Sequence, residues 1–169
     1  LTKMTVQKLD IAEPFFSVSM VSHEASLNIT GRTIVLNLTD SPIRIREQTL
    51  GSLQSVILRD TDIENVQHAI LVERFDDHPD EGALMEEVRR SWPSAFEVRG
   101  EERLRGIGHY MSPKIWVGRI GVTMYHSATV TLNVGLQRDH AFCPVHGFRE
   151  LPTQIVGCGK MQQCRERDV

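Results

Sequence analysis

Short stretches of β-branched and apolar residues recur along the first seventy-odd residues of this chain, and turn-forming residues separate them. Gly31 precedes one such stretch, and an Asp-Ser-Pro turn at 40–42 separates it from the next. Strands that recur at intervals of roughly ten residues are typical of a β-sandwich or a β-barrel. The pattern predicts strands at residues 26–30, 33–38, 43–46, 52–58 and 68–74.

One segment departs from the strand pattern and predicts a helix near residues 80–92. Acidic residues just before it suit the positive end of a helix dipole, and Leu84, Met85 and Val88 form a partial apolar stripe. Pro93 disfavours helical backbone in the residue before it, so the helix is expected to end there. From residue 96 the strand pattern returns, with strands predicted at 115–117, 120–125, 128–134 and 151–156. The predicted fold class is therefore mainly β.

Composition and charge narrow the class of protein. A chain of 169 residues that is 40% hydrophobic and 24% charged is expected to form a single globular domain over 1–169. The net charge of −3, with scattered arginines, leaves no basic patch for nucleic acid. No apolar run has the eighteen or so residues of a membrane helix, and the first residues contain no signal-peptide core. With an odd count of three cysteines, these features predict a cytoplasmic protein.

The residues with the clearest chemistry lie between positions 140 and 154. Successive side chains of a strand point to opposite faces, so positions that differ by an even number share a face. His146 and Glu150 share a face of an extended chain, and His140 and Gln154 have the same parity. Two imidazoles and a carboxylate suit a divalent metal ion such as Zn, Fe, Mn or Ni. The segment therefore predicts a metal site formed by His140, His146 and Glu150.

The spacing of three residues in this segment resembles a known family motif. His146, three residues, Glu150, six residues, Gly157 is similar to the second half of the first conserved motif of the cupin family. The family's first motif histidine would fall at Pro144, so His140 is expected to replace it. The resemblance covers about 25 residues of the chain, a length at which motif matches are hypotheses.

This resemblance implies a cupin-like jelly-roll β-barrel with one helix near residues 80–92. It also implies a metal-dependent enzyme that acts on a small oxygenated substrate, a sugar or a keto acid. The expected chemistry is that of a lyase, a dehydratase or an isomerase, with a non-haem iron dioxygenase as an alternative. Glu150 and Gln154 are the expected catalytic residues, beside a divalent ion held by His140, His146 and Glu150.

Three other interpretations stay open from the sequence. A non-catalytic module of the same fold would bind a small molecule or a partner chain, and Pro144 and Pro152 favour it because proline removes a ladder hydrogen bond. The chain is alternatively a piece of a larger enzyme, with strands and a helix at 1–95 and the motif at 96–169, and a homodimer would complete its sheet. A rival structural zinc site would use Cys143, His146, Cys158 and Cys164.

Two smaller features are given little functional weight. His23-Glu24 and the acidic cluster that ends at His78 carry metal-binding side chains, but both are typical of solvated turns. Asn28 and Asn37 stand in Asn-x-Thr glycosylation sequons, and such tripeptides arise often by chance.

Overall fold

The computed structural model describes residues 5–11, 13, 16–75, 81–127, 153 and 155. These residues form a mainly β protein with antiparallel sheets, which confirms the prediction of a mainly β fold, while the jelly-roll barrel stays a prediction. Apart from residues 153 and 155, the predicted strands at 128–134 and 151–156 lie outside this part of the chain. Within it, neither helix has the length and apolar character needed to cross a membrane.

The described residues contain eleven strands and two α-helices. The strands are β1 (Thr5–Leu9), β2 (Ser17–Ile29), β3 (Thr33–Asn37), β4 (Ile43–Ile45), β5 (Gln48–Leu50), β6 (Ser55–Leu58), β7 (Thr61–Glu73), β8 (His109–Met111), β9 (Ile115–Val117), β10 (Ile120–Val122) and β11 (Tyr125–Ser127). The helices are α1 (Glu81–Ser91) and α2 (Ala95–Arg99), followed by a 3₁₀ turn at Glu102–Leu104.

The described chain divides into two compact units. The first contains β1 to β7 together with Ser112–Met124, which carries the β9–β10 hairpin. The second contains Met85–Met111 and β11, which pairs antiparallel with β8. Both candidate sites described below lie in the first unit.

The large sheet of the first unit is organised around β2 and β7, which are 13 residues long and pair antiparallel along their length. Its strand order is β1-β2-β7-β3-β6, and β4 pairs with both β5 and β7. Directly opposed residues share a face, so Val18, Val72 and Ile34 form an apolar row across β2, β7 and β3. No sheet closes on itself among the described residues, and β6 ends the strand order of this sheet.

Buried side chains from several strands of this unit pack into one hydrophobic cluster. Its buried members are Val21, Ile29, Val35, Ile43, Leu50, Ile63, Val66, Ala69 and Leu71. Branched aliphatic side chains predominate because they pack well on a pleated surface. Complete burial of one such side chain contributes about 1.5–3 kcal/mol. The cluster therefore fixes the strands whose ends and turns carry the candidate sites.

The helical part of the chain was predicted only in part. The predicted helix is confirmed at α1, but the expectation that the strand pattern returns at residue 96 is wrong for α2. Ser94 Oγ accepts a hydrogen bond from the Glu97 N–H, and the Glu97 carboxylate accepts one from the Ser94 N–H. This capping box starts a helix that ends at Gly100, whose φ of 69° is left-handed. The capping hydrogen bonds favour a helix here, although the apolar pattern of the segment predicted a strand.

Candidate functional site

The metal site predicted from the sequence lies outside the described residues. This applies to His140, His146, Glu150 and Gln154 and to the three cysteines of the rival zinc site. In the part of the chain that the structure describes, no group of three or more His, Cys, Asp or Glu side chains is arranged to hold a metal ion. The predicted metal site stays a prediction. The described residues offer two other features, a groove and a pair of histidines.

A surface groove lies between the tip of the β4–β5 hairpin and the connection from β6 to β7. We call it the arginine groove, and its defining residues are Arg32, Arg46, Arg59, Ile45, Ile57 and Leu58. Its main part has a volume of about 560 Å³, and a second part beside Arg32 has a volume of about 370 Å³. Both parts share Ile57, Leu58 and Arg59. Both parts of the groove are shallow and largely open to solvent.

Positive charge predominates in the arginine groove. Three arginines line it, against one carboxylate, that of Glu47. The Arg32 guanidinium also lies over the Phe75 ring, 5.2 Å from its centroid. Among the described residues, no hydrogen bond or ion pair engages the guanidinium of Arg46 or Arg59. The groove therefore has cationic donors that are available to a ligand.

Two of these arginines flank the end of the β3–β6 ladder. Thr33 and Leu58 are a directly opposed pair at that end, and Arg32 and Arg59 are the next residues outward. The end of the β3–β6 ladder therefore contributes two of the three arginines that line the groove.

Two imidazole rings meet edge to face on the β2–β7 strand pair. We call His23 and His68 the histidine pair; their ring centroids are 4.9 Å apart and their planes are inclined at 67°. His68 is directly opposed to Ser22, and its Nδ1 lies 3.0 Å from Ser22 Oγ. His23 Nδ1 lies 3.2 Å from Gln67 Oε1, and because an amide oxygen only accepts, the ring nitrogen donates. Each ring is therefore oriented through Nδ1, which leaves Nε2 for other chemistry.

An irregular backbone accompanies the histidine pair. His23 has a left-handed φ of 56° within β2, and Asn65 has a φ of 60° within β7. Between them the directly opposed residues Glu24 and Val66 are both buried, and Val66 belongs to the hydrophobic cluster. The interpretation of His23-Glu24 as a solvated turn is wrong, because pairing with β7 holds both residues in a strand.

The histidine pair favours the neutral form of its more buried member. Burial lowers the pKa of His68, and the charge of His23 lowers it further. A serine hydroxyl that is hydrogen-bonded to an imidazole also occurs in catalytic sites, where the imidazole activates the serine as a nucleophile. His68, however, also contacts a second imidazole ring, that of His23. The chemistry of this arrangement is that of two neighbouring nitrogen donors.

Comparisons of the chain with protein-family models, with curated proteins and with solved structures found no match. Sequence analysis missed both the arginine groove and the histidine pair. The groove combines residues from the β4–β5 turn, from the C-terminal end of β6 and from the position before β3. The histidine pair is brought together only by the register of β2 against β7.

Proposed function

We propose that the protein is a non-catalytic binding module whose arginine groove takes a small molecule with an anionic group and an apolar body. The observation that carries this proposal is the excess of three guanidinium groups over one carboxylate in the lining of the groove. Guanidinium groups bind carboxylates and phosphates through charge-assisted and often bidentate hydrogen bonds.

The apolar wall of the groove supports a ligand that is amphipathic rather than purely ionic. Ile57 is 50% exposed, whereas Ile45 and Leu58, which also line the groove, are partly buried against the hydrophobic cluster. Burial of apolar surface contributes about 25 cal/mol per Å², so a short hydrocarbon chain against these residues adds to the affinity of the anionic group. The main part of the groove, at about 560 Å³, has room for such a chain.

Octanoate is expected to bind the groove, whereas octylammonium, which has the same hydrocarbon chain length and the opposite charge, is not. Arg59→Ala should weaken octanoate binding about tenfold or more, because a hydrogen bond to a charged group contributes roughly 1.5–3 kcal/mol. Chemical-shift titration of the labelled protein measures both affinities. Arg44→Ala is the matched control, since Arg44 is an exposed arginine that pairs with Glu64 and does not line the groove.

Two results would contradict the binding module. One is an equal affinity for octanoate and octylammonium, which would show that the groove does not select charge. The other is octanoate binding that Arg59→Ala leaves unchanged while Arg44→Ala weakens it, which would place the anion elsewhere. Inorganic phosphate separates the two parts of the ligand, and it is expected to bind more weakly than octanoate because it lacks the apolar body.

A metal-dependent cupin-like enzyme is the second candidate, favoured by the spacing of His146, Glu150 and Gly157. In this proposal His140, His146 and Glu150 hold a divalent Zn, Fe, Mn or Ni ion. Such an ion polarises a carbonyl oxygen, which suits lyase or isomerase chemistry on a sugar or a keto acid. The mainly antiparallel β fold of the described residues is compatible with a barrel of this class.

Elemental analysis of the purified protein tests the enzyme proposal. About one equivalent of bound metal is expected in the wild type and should be lost in His146→Ala, because removal of one ligand breaks the coordination set. Glu150→Ala should behave in the same way, and His78→Ala is the control for loss of a histidine outside the motif. Metal content that stays unchanged in both motif variants would contradict the proposal.

A further inference from the structure

We infer that the histidine pair is a binding site for a late first-row divalent metal ion, Cu²⁺, Ni²⁺ or Zn²⁺, that joins β2 to β7. Its ligands, His23 and His68, are not among the residues of the arginine groove or the predicted ligands His140, His146 and Glu150. Three observations support it: the separation of the two rings, the hydrogen bonds that orient them, and the donor atoms that remain.

The separation of the two rings fits coordination of a single ion. The distance from a zinc ion to an imidazole nitrogen is about 2.0–2.1 Å. Two imidazoles that bind one ion at a tetrahedral angle therefore have ring centroids roughly 5 Å apart. The observed centroid separation of His23 and His68 is 4.9 Å. The register of β2 against β7 thus places the two rings at a separation that suits coordination of one ion.

The hydrogen bonds of both rings are those expected of metal-binding histidines. A metal-binding imidazole usually makes a hydrogen bond through its other ring nitrogen, and this bond fixes the orientation of the ring. Gln67 Oε1 has this role for His23, and Ser22 Oγ has it for His68. The Nε2 atom of each ring is left as the donor.

The donor set determines which ions the site would take. Imidazole nitrogens favour Cu²⁺, Ni²⁺ and Zn²⁺, whereas Mg²⁺ and Ca²⁺ prefer oxygen ligands. Among the described residues no third His, Cys, Asp or Glu joins the pair, so water completes the coordination and the ion exchanges readily.

Titration of the metal-free 169-residue chain with Zn²⁺ and Cu²⁺ tests this inference. Zn²⁺ is expected to shift the Nε2 resonances of His23 and His68 together, and the Cu²⁺ electron paramagnetic resonance spectrum should show two nitrogen ligands. His23→Gln and His68→Gln should each weaken binding about tenfold or more, since even loss of a group that only orients a ligand costs that much. Gln67→Ala should give a smaller loss, and Mg²⁺ should leave the imidazole resonances unchanged.

The outcomes separate this site from the one predicted in the motif. His146→Gln is expected to retain the ion at the histidine pair, and a loss of all binding in that variant alone would overturn the inference. Unchanged Zn²⁺ affinity in both His23→Gln and His68→Gln would also overturn it. His23 is exposed, so His23→Gln preserves the fold and keeps the test valid even where His68→Gln perturbs it.

Discussion

Asn37→Ala is expected to lower the free energy of unfolding by about 3–5 kcal/mol, out of the roughly 5–15 kcal/mol that is typical of a folded domain. The Asn37 side chain is 0% exposed at the end of β3. Its Nδ2 donates to the carbonyl oxygens of Ser41 and Leu50, at 2.9 and 3.0 Å. Its Oδ1 accepts from the Thr39 N–H at 3.0 Å. Alanine would leave three backbone groups without these partners.

Urea unfolding followed by circular dichroism measures this loss. The control is Asn28→Ala, because Asn28 is exposed and its side chain makes one hydrogen bond, to Asp62 at 2.7 Å; its loss should stay below about 1 kcal/mol. If Asn37→Ala lost no more stability than Asn28→Ala, water would have replaced the hydrogen bonds of the buried amide. The same burial bears on the sequons, since an amide that donates two hydrogen bonds inside the fold is not available to carry a glycan.

Ile63→Ala is expected to destabilise the protein by about 3 kcal/mol, within the range of roughly 2–5 kcal/mol for such truncations in a core. Ile63 lies in β7, is 0% exposed and belongs to the hydrophobic cluster. It is directly opposed to Leu27 of β2, which packs against the same cluster. Truncation removes apolar contacts and leaves a cavity, because strands that are paired on both sides cannot move to fill it.

Two further variants make this measurement specific. Ile63→Val should cost about 0.5–1.5 kcal/mol, since it removes a single methylene group. Ile57→Ala changes the same residue type at a position that is 50% exposed on β6, and it should cost less than about 1 kcal/mol. Equal losses in Ile63→Ala and Ile57→Ala would show that Ile63 is not in a packed core. If the slope of the free energy of unfolding against urea concentration is the same in every variant, all variants unfold from the same compact state.

The strands that could be predicted from the sequence are those whose local pattern agrees with their place in the sheet. The predicted strands at 33–38, 43–46 and 52–58 correspond to β3, β4 and β6, where branched residues stand next to turn signals. The first half of β7, with Asp62, Glu64 and Asn65, is too polar to be recognised locally. It becomes a strand because it pairs along its length with β2, and such long-range pairing overrides local preference.

The candidate sites were less predictable than the strands, for the same reason. The metal site expected at His140, His146 and Glu150 lies outside the described residues and stays a prediction. His23 and His68 are neighbours only because the register places Ser22 opposite His68, and no local pattern encodes that register. The charge of each arginine is known from the sequence. Their proximity in the arginine groove, however, depends on which turns and strand ends the fold brings together. Outside the candidate sites, α2 does have a local signal in the sequence, the capping box of Ser94 and Glu97.

The position of β6 has a consequence for how separate molecules behave towards one another. Within the described sheet β6 is the last strand, it is four residues long, and Arg32 and Arg59 stand beside its end. An open strand edge is a template on which a strand of another molecule can add, and short length and charge both oppose such addition. Arg59 directly follows β6, so its charge opposes the addition of a neighbouring strand at this end of the edge.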